Sequence, residues 1–147
     1  MPTNSVLIDD RLLVAHLTGE RLLTPRSRAR LVTTQYWYFR ACRAAVLGAA
    51  GALSGPFARL DPAHQADAIT AMLRLPEDIG LPEPRSLVPV MVDMADRHPR
   101  LNLLNLEAAA WARLLDARVL LSPPAAAGVL PPALDAEGIA WTVHEPT

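Results

Sequence analysis

The chain carries a single cysteine, Cys42, and no lysine at all. One cysteine excludes an intramolecular disulfide and any cysteine-rich zinc site. Set among apolar residues of a helical stretch, it reads as a buried structural thiol. No apolar run approaches the roughly 18 to 20 residues needed to cross a bilayer, so no membrane attachment is expected. The N-terminus lacks the basic, apolar and small-residue order of a secretory signal, and Asp9 and Asp10 interrupt it early. A cytoplasmic location is therefore the default. His16, His64, His98 and His144 are dispersed and form no pair of metal-binding spacing. There is no Gly-rich phosphate loop, no nucleophile elbow, no Cys–His pairing and no internal repeat.

What is present is the composition of a folded protein, 51% apolar and 20% charged over 147 residues. That length suits one domain spanning residues 1–147 with a sizeable core. The 14 prolines are scattered through connections and mark no linker between two domains. All 14 basic residues are arginine, and they are unevenly balanced. Residues 1–43 hold seven of them against three acids, whereas residues 44–147 hold seven against twelve. The arginine fork suits phosphate, so the segment from Arg26 to Arg30 has the chemistry to meet nucleic acid. Three arginines in five residues are a weak patch signal. A solvated loop, in a chain that uses arginine where others use lysine, is the favoured reading.

Hydrophobic periodicity orders the chain. Residues 5–9 read as a short buried strand and 10–17 as a helix with Leu12, Leu13 and Leu17 on its apolar side. Gly19 breaks that pattern, and Leu31 to Thr34 form a brief extended segment. A helix runs from Gln35 to about Leu53. Its small residues, at Ala41, Ala44, Ala45, Gly48 and Ala52, allow close packing within the domain or across a homodimer. Ser54-Gly-Pro56 ends it. Asp61-Pro62 opens a helix over 62–74, and Ile79 to Leu81 offer a short strand. A helix over 85–97 contains Pro89, which is an alternative start. Residues 101–115 are helical, Arg118 to Ser122 form a second buried strand stopped by Pro123-Pro124, and 131–137 form a short helix closed by Gly138. Ile139 to Val143 form a last strand. This alternation predicts an α/β fold, a mainly parallel sheet covered by helices on both faces.

In such folds functional groups gather beyond the carboxyl ends of the strands. Asp9 and Asp10 stand there, placed either to hold a metal ion or merely to cap the first helix. Asp93 and Asp96, three apart, and Asp116 read as solvated surface charge. Trp37 and Trp111 read as core rather than as platforms for bases.

With these elements in place the chain resembles the PIN domain, the three-layer α/β/α fold of the VapC-type ribonucleases of toxin–antitoxin pairs. Residues 6–14 are similar to the family's opening strand, acid and small helix. Residues 107–122 are similar to its acid-started, alanine-rich helix leading into a strand, and residues 138–143 to its closing strand. The resemblance implies a cluster of carboxylates at the sheet edge that binds Mg²⁺ or Mn²⁺. The metal would activate water for phosphodiester hydrolysis. Asp9 matches the first acid and Glu107 the acid of the penultimate helix. A two-residue shift of register puts Asn105, a poorer ligand, in that place instead. Two of the family's acids have no counterpart: Thr33 to Arg40 holds none, and neither does Ser122 to Gly128.

Three functions are compatible with these residues. The first is a Mg²⁺- or Mn²⁺-dependent endoribonuclease, weakened or inactive through its missing acids. In it Asp9 and Glu107 are the catalytic ligands, and Arg40 or Arg43 contact phosphate. The second is a non-catalytic module that binds RNA or a protein, including an antitoxin. The third is an unrelated α/β protein in which the aspartates only cap a helix. In that case Asp9→Asn costs about 1 kcal/mol or less, because Asn also caps well.

Overall fold

The computed structural model describes residues 4–22, 29–47 and 54–145. Arg26 and Arg28 of the basic segment, and Gly48 and Ala52 of the small-residue helix, lie outside them. Four strands form one sheet: β1 (Ser5–Ile8), β2 (Arg30–Val32), β3 (Arg118–Leu121) and β4 (Trp141–Val143), in the order β2-β1-β3-β4. Every pairing is parallel, with Leu7 opposite both Val32 and Val119. The segment expected to be a strand at 79–81 contributes a single parallel bridge, Gly80 to Val32, on the outer side of β2. Gly80 is required there, because a Cβ would stand 2.9 Å from Val32 Cγ1.

Alternation along the strands divides the core between two faces, as a period of two requires. Leu7, Val119 and Leu121 pack with α5 (Pro84–Ala95), α6 (Leu103–Leu115) and α8 (Leu130–Ala136). Val6, Ile8 and Leu120 pack with α1 (Asp10–Leu17), α2 (Gln35–Leu47) and α4 (Pro62–Leu73). The short α3 (Gly55–Ala58) adds Phe57 to the second face. Trp37 and Trp111 both belong to the first cluster, so both are core. This is the α/β/α arrangement with a parallel sheet that the element order predicts.

Several boundaries differ from expectation for a common reason. Proline is compatible with a first helical turn, where its missing N–H is not needed. Pro56, Pro84 and the Pro123-Pro124 pair accordingly start helices, the last being α7 (Pro123–Ala126), as Pro62 does in its expected place. Helix α5 begins at Pro84, capped by Glu83 accepting from the Ser86 N–H at 3.0 Å. Pro89 lies inside it and does not start it. Helix α6 begins at Leu103 under an Asn102 cap, so Glu107 sits one turn in and does not open it. Strand β4 starts at Trp141, and Cys42 is half-buried, its Sγ 3.6 Å from the Met72 carbonyl.

A candidate acidic site at the carboxyl edge of the sheet

The chain leaves β1 sideways to β2, then crosses back to β3 on the other side of β1. The winding reverses between β1 and β3, and open α/β sheets place ligand crevices at the carboxyl ends of such strands. The residues that follow the four strands are polar: Asp9 after β1, Thr33 after β2, Ser122 after β3 and His144 after β4. All four are buried.

Asp9 is fully enclosed, at 0% exposure, and both its oxygens are committed. Oδ1 accepts from the Leu12 N–H at 3.0 Å, which makes Asp9 the N-cap of α1. Oδ2 accepts from the Ser122 N–H at 2.8 Å and from the Ser122 hydroxyl at 2.6 Å. The carboxylate thus ties the end of β1 to the end of β3 across the reversal point. Burial pushes its pKa above the ordinary aspartate value, and the donors from Ser122 and Leu12 offset part of that rise.

Asp10, also buried, is the first residue of α1. Its Oδ1 accepts from the Arg11 N–H at 2.8 Å and its Oδ2 pairs with Arg40 Nε at 3.1 Å. Burial raises its pKa most and the neighbouring Asp9 charge adds to this, while Arg40 draws it down. Arg40 comes from α2 and its side chain is 55% exposed, so it is the solvent-facing partner of the pair.

Glu107 is 3% exposed on the second turn of α6. It reaches the start of α2, where Oε2 accepts from the Gln35 N–H at 3.2 Å and Oε1 from the Tyr36 N–H at 3.0 Å. Thr34 completes that cap by accepting from the Trp37 N–H at 3.0 Å. A carboxylate facing the free N–H groups of a helix start is favourably placed in the helix dipole. Asn105 is half-buried, its backbone N–H held by Asn102 Oδ1, and its side chain makes no hydrogen bond among the described residues. Arg43 is exposed on α2, one turn beyond Arg40.

Mg²⁺ and Mn²⁺ require several oxygen ligands with free lone pairs directed at one point. Here Asp9 faces three donors, Glu107 faces two and Asp10 holds a guanidinium. Among the described residues no group of three or more His, Cys, Asp or Glu side chains is arranged to hold an ion. In this arrangement the donor set does not fit a divalent metal.

Reading by sequence missed the partners, not the acids. Ser122 was visible only as a strand end, and the Asp10–Arg40 pair joins residues 30 positions apart. His144 was invisible in role: it is 7% exposed, and neither ring nitrogen has a hydrogen-bond partner among the described residues. No spacing rule connects these positions, since the sheet order alone makes them neighbours.

The fold and the acid beyond its first strand define an α/β protein with a four-stranded parallel sheet between helical layers, consistent with the PIN-like fold. A chain from the structure of VapBC-1 of nontypeable Haemophilus influenzae shares this fold, with a TM-score of 0.53 and 14% identity. The match covers 95% of this chain and 97% of that one. No protein-family model and no curated protein matches the sequence. No helix among the described residues is long and apolar enough to cross a membrane.

Proposed function

We propose that this chain is a single-domain, PIN-like relative of metal-dependent endoribonucleases in which cleavage is lost or much weakened and RNA binding remains. The observation that carries this reading is the internal commitment of every carboxylate oxygen of Asp9 and Glu107. Carboxylates spent on capping helices and joining strands are not free to hold Mg²⁺ or Mn²⁺. The binding face is α2, where Arg40 and Arg43 alternate with the exposed aromatic side chains of Tyr36 and Phe39. Phe39 is 61% exposed, and aromatic faces interleaved with arginine suit unpaired bases and their phosphates. A protein partner, of antitoxin type or a second copy, is a second reading. It is favoured by Val46 and Leu47, apolar and exposed further along α2.

The test joins cleavage to binding. Wild type incubated with single-stranded RNA and Mn²⁺ is expected to leave the RNA intact while retarding it in a gel. Arg43→Ala is expected to weaken retention and reduce the salt slope by about one unit, as for one lost phosphate contact. Mn²⁺-dependent cleavage that disappears in Asp9→Asn would overturn the loss of catalysis. No retention of RNA at low salt leaves the protein-binding reading in its place.

A further inference from the structure

We propose that Arg40 is the resident cation of the acidic site: its guanidinium, tethered to α2, supplies positive charge to Asp10, next to the buried Asp9, and keeps divalent ions out. The two consecutive carboxylates are both buried, and one follows directly on the other in the chain. Adjacent negative charges screened from water repel strongly and need a counter-charge within a few ångströms. The hydrogen-bond donors around Asp9 are neutral N–H and O–H groups. Arg11 contributes its backbone N–H to Asp10 and the attraction of its charge to both aspartates, while the ion-pair contact, and the larger attraction on Asp10, is Arg40 Nε on Asp10 Oδ2 at 3.1 Å.

The position of Arg40 gives this charge its effect. It lies on the exposed side of α2 and reaches Asp10 through Nε, with its side chain 55% exposed against 10% for Asp10, so the guanidinium is the solvent-facing partner of the pair. Guanidinium is held by planar, charge-assisted hydrogen bonding and cannot be deprotonated in proteins. The counter-charge is therefore permanent and needs no ion from solution. The role stands apart from RNA binding, because a protein that binds no RNA can still neutralise its site in this way.

The experiment compares wild type, Arg40→Ala, Arg40→Lys and the double variant Arg40→Ala/Asp10→Asn. Mn²⁺ binding is measured by titration calorimetry, and thermal unfolding is followed with Mn²⁺ or with EDTA. Wild type and Arg40→Lys are expected to melt at the same temperature in both. Arg40→Ala should melt about 3–6 °C lower in EDTA. It should bind Mn²⁺ at least about tenfold more tightly than wild type and recover its stability as the ion binds. The double variant, which needs no counter-charge at Asp10, should recover stability without Mn²⁺ and lose the gained affinity. If Arg40→Ala does not fold, a folded double variant supports the role, and a double variant that is also unfolded overturns it. Equal Mn²⁺ affinity in wild type and Arg40→Ala overturns it as well. RNA retention is not read in this experiment, so its failure leaves the proposed function to its own test.

Discussion

At the scale of single residues, the consequence of the structure is that Asp9 is a joint as well as a cap. A residue that only capped α1 would tolerate Asn almost without loss, because Asn caps comparably. Here the second oxygen is also spent, on the Ser122 N–H and hydroxyl. Asp9→Asn keeps one acceptor and turns an amide donor toward an N–H that it cannot bond. It also removes a buried charge, which offsets part of the damage, so the net cost should be about 1 kcal/mol. Ser122→Ala is the opposite case. It leaves the buried carboxylate charged and removes one of its donors, and should cost about 1–3 kcal/mol. Urea unfolding of both variants therefore reads the order, Ser122→Ala worse than Asp9→Asn. In an Asp9→Asn background the Ser122→Ala loss should shrink, since the charge that needed the hydroxyl is gone. Additive losses would remove the Asp9–Ser122 joint from the account.

At the scale of elements, Glu107 and Asn105 separate cleanly although they lie two residues apart on α6. Only Glu107 crosses to another helix, where it meets the N–H groups of Gln35 and Tyr36. Glu107→Gln places an amide donor against one of them and weakens the charge–dipole attraction. Its expected cost is about 1–2 kcal/mol by chemical unfolding. Asn105→Ala, with no side-chain hydrogen bond to lose among the described residues, should stay within about 0.5 kcal/mol. Equal effects would mean that Glu107 does not anchor α2. The starts of α2 and α6 also show which parts of the fold could be read in sequence. Uninterrupted apolar runs at Val6 to Ile8 and Val119 to Leu121 announce buried strands, and the apolar stripe of α1 announces its helix, because burial acts on each segment locally. The helix starts at Pro56, Pro84 and Pro123 were harder, since proline both ends and begins helices and the outcome depends on the cap in front of it. Glu83 as a cap is a longer side chain than caps usually employ, so residue preference did not point to it. Asp9 was legible as an acid at a strand end. Its partner Ser122 was not, because the two stand 113 positions apart and only the order of strands brings them together.

At the scale of the whole molecule, two groups of acids pull the pH dependence of stability in opposite directions. Glu137, after α8, meets Arg97 at 2.6 Å and His98 at 3.2 Å, linking the end of α8 to the end of α5. The hydrogen bond from Arg97, assisted by His98, holds its carboxyl below the usual glutamate value. Stability from this link is complete above the unfolded-state pKa and is lost as pH falls through the lower folded value. Asp9 and Asp10 have the reverse sign. Burial raises both, and the Asp9 charge raises Asp10 further. While both are ionised they weigh against folding, and acidification through their raised values toward the unfolded one relieves that weight. Lowering pH from neutrality should therefore hold or raise the urea midpoint before it falls, with the fall setting in below about pH 4.5, where unfolded glutamates take up protons. Asp10→Asn should flatten the upper limb and leave the acid fall in place. Glu137→Gln should make the acid fall shallower and leave the upper limb unchanged. A midpoint that declines steadily from neutral pH, identically in wild type and Asp10→Asn, would mean that the two buried carboxylates carry no such burden. The site at the reversal of the sheet would then be as comfortable in its charged form as the exposed acids around it.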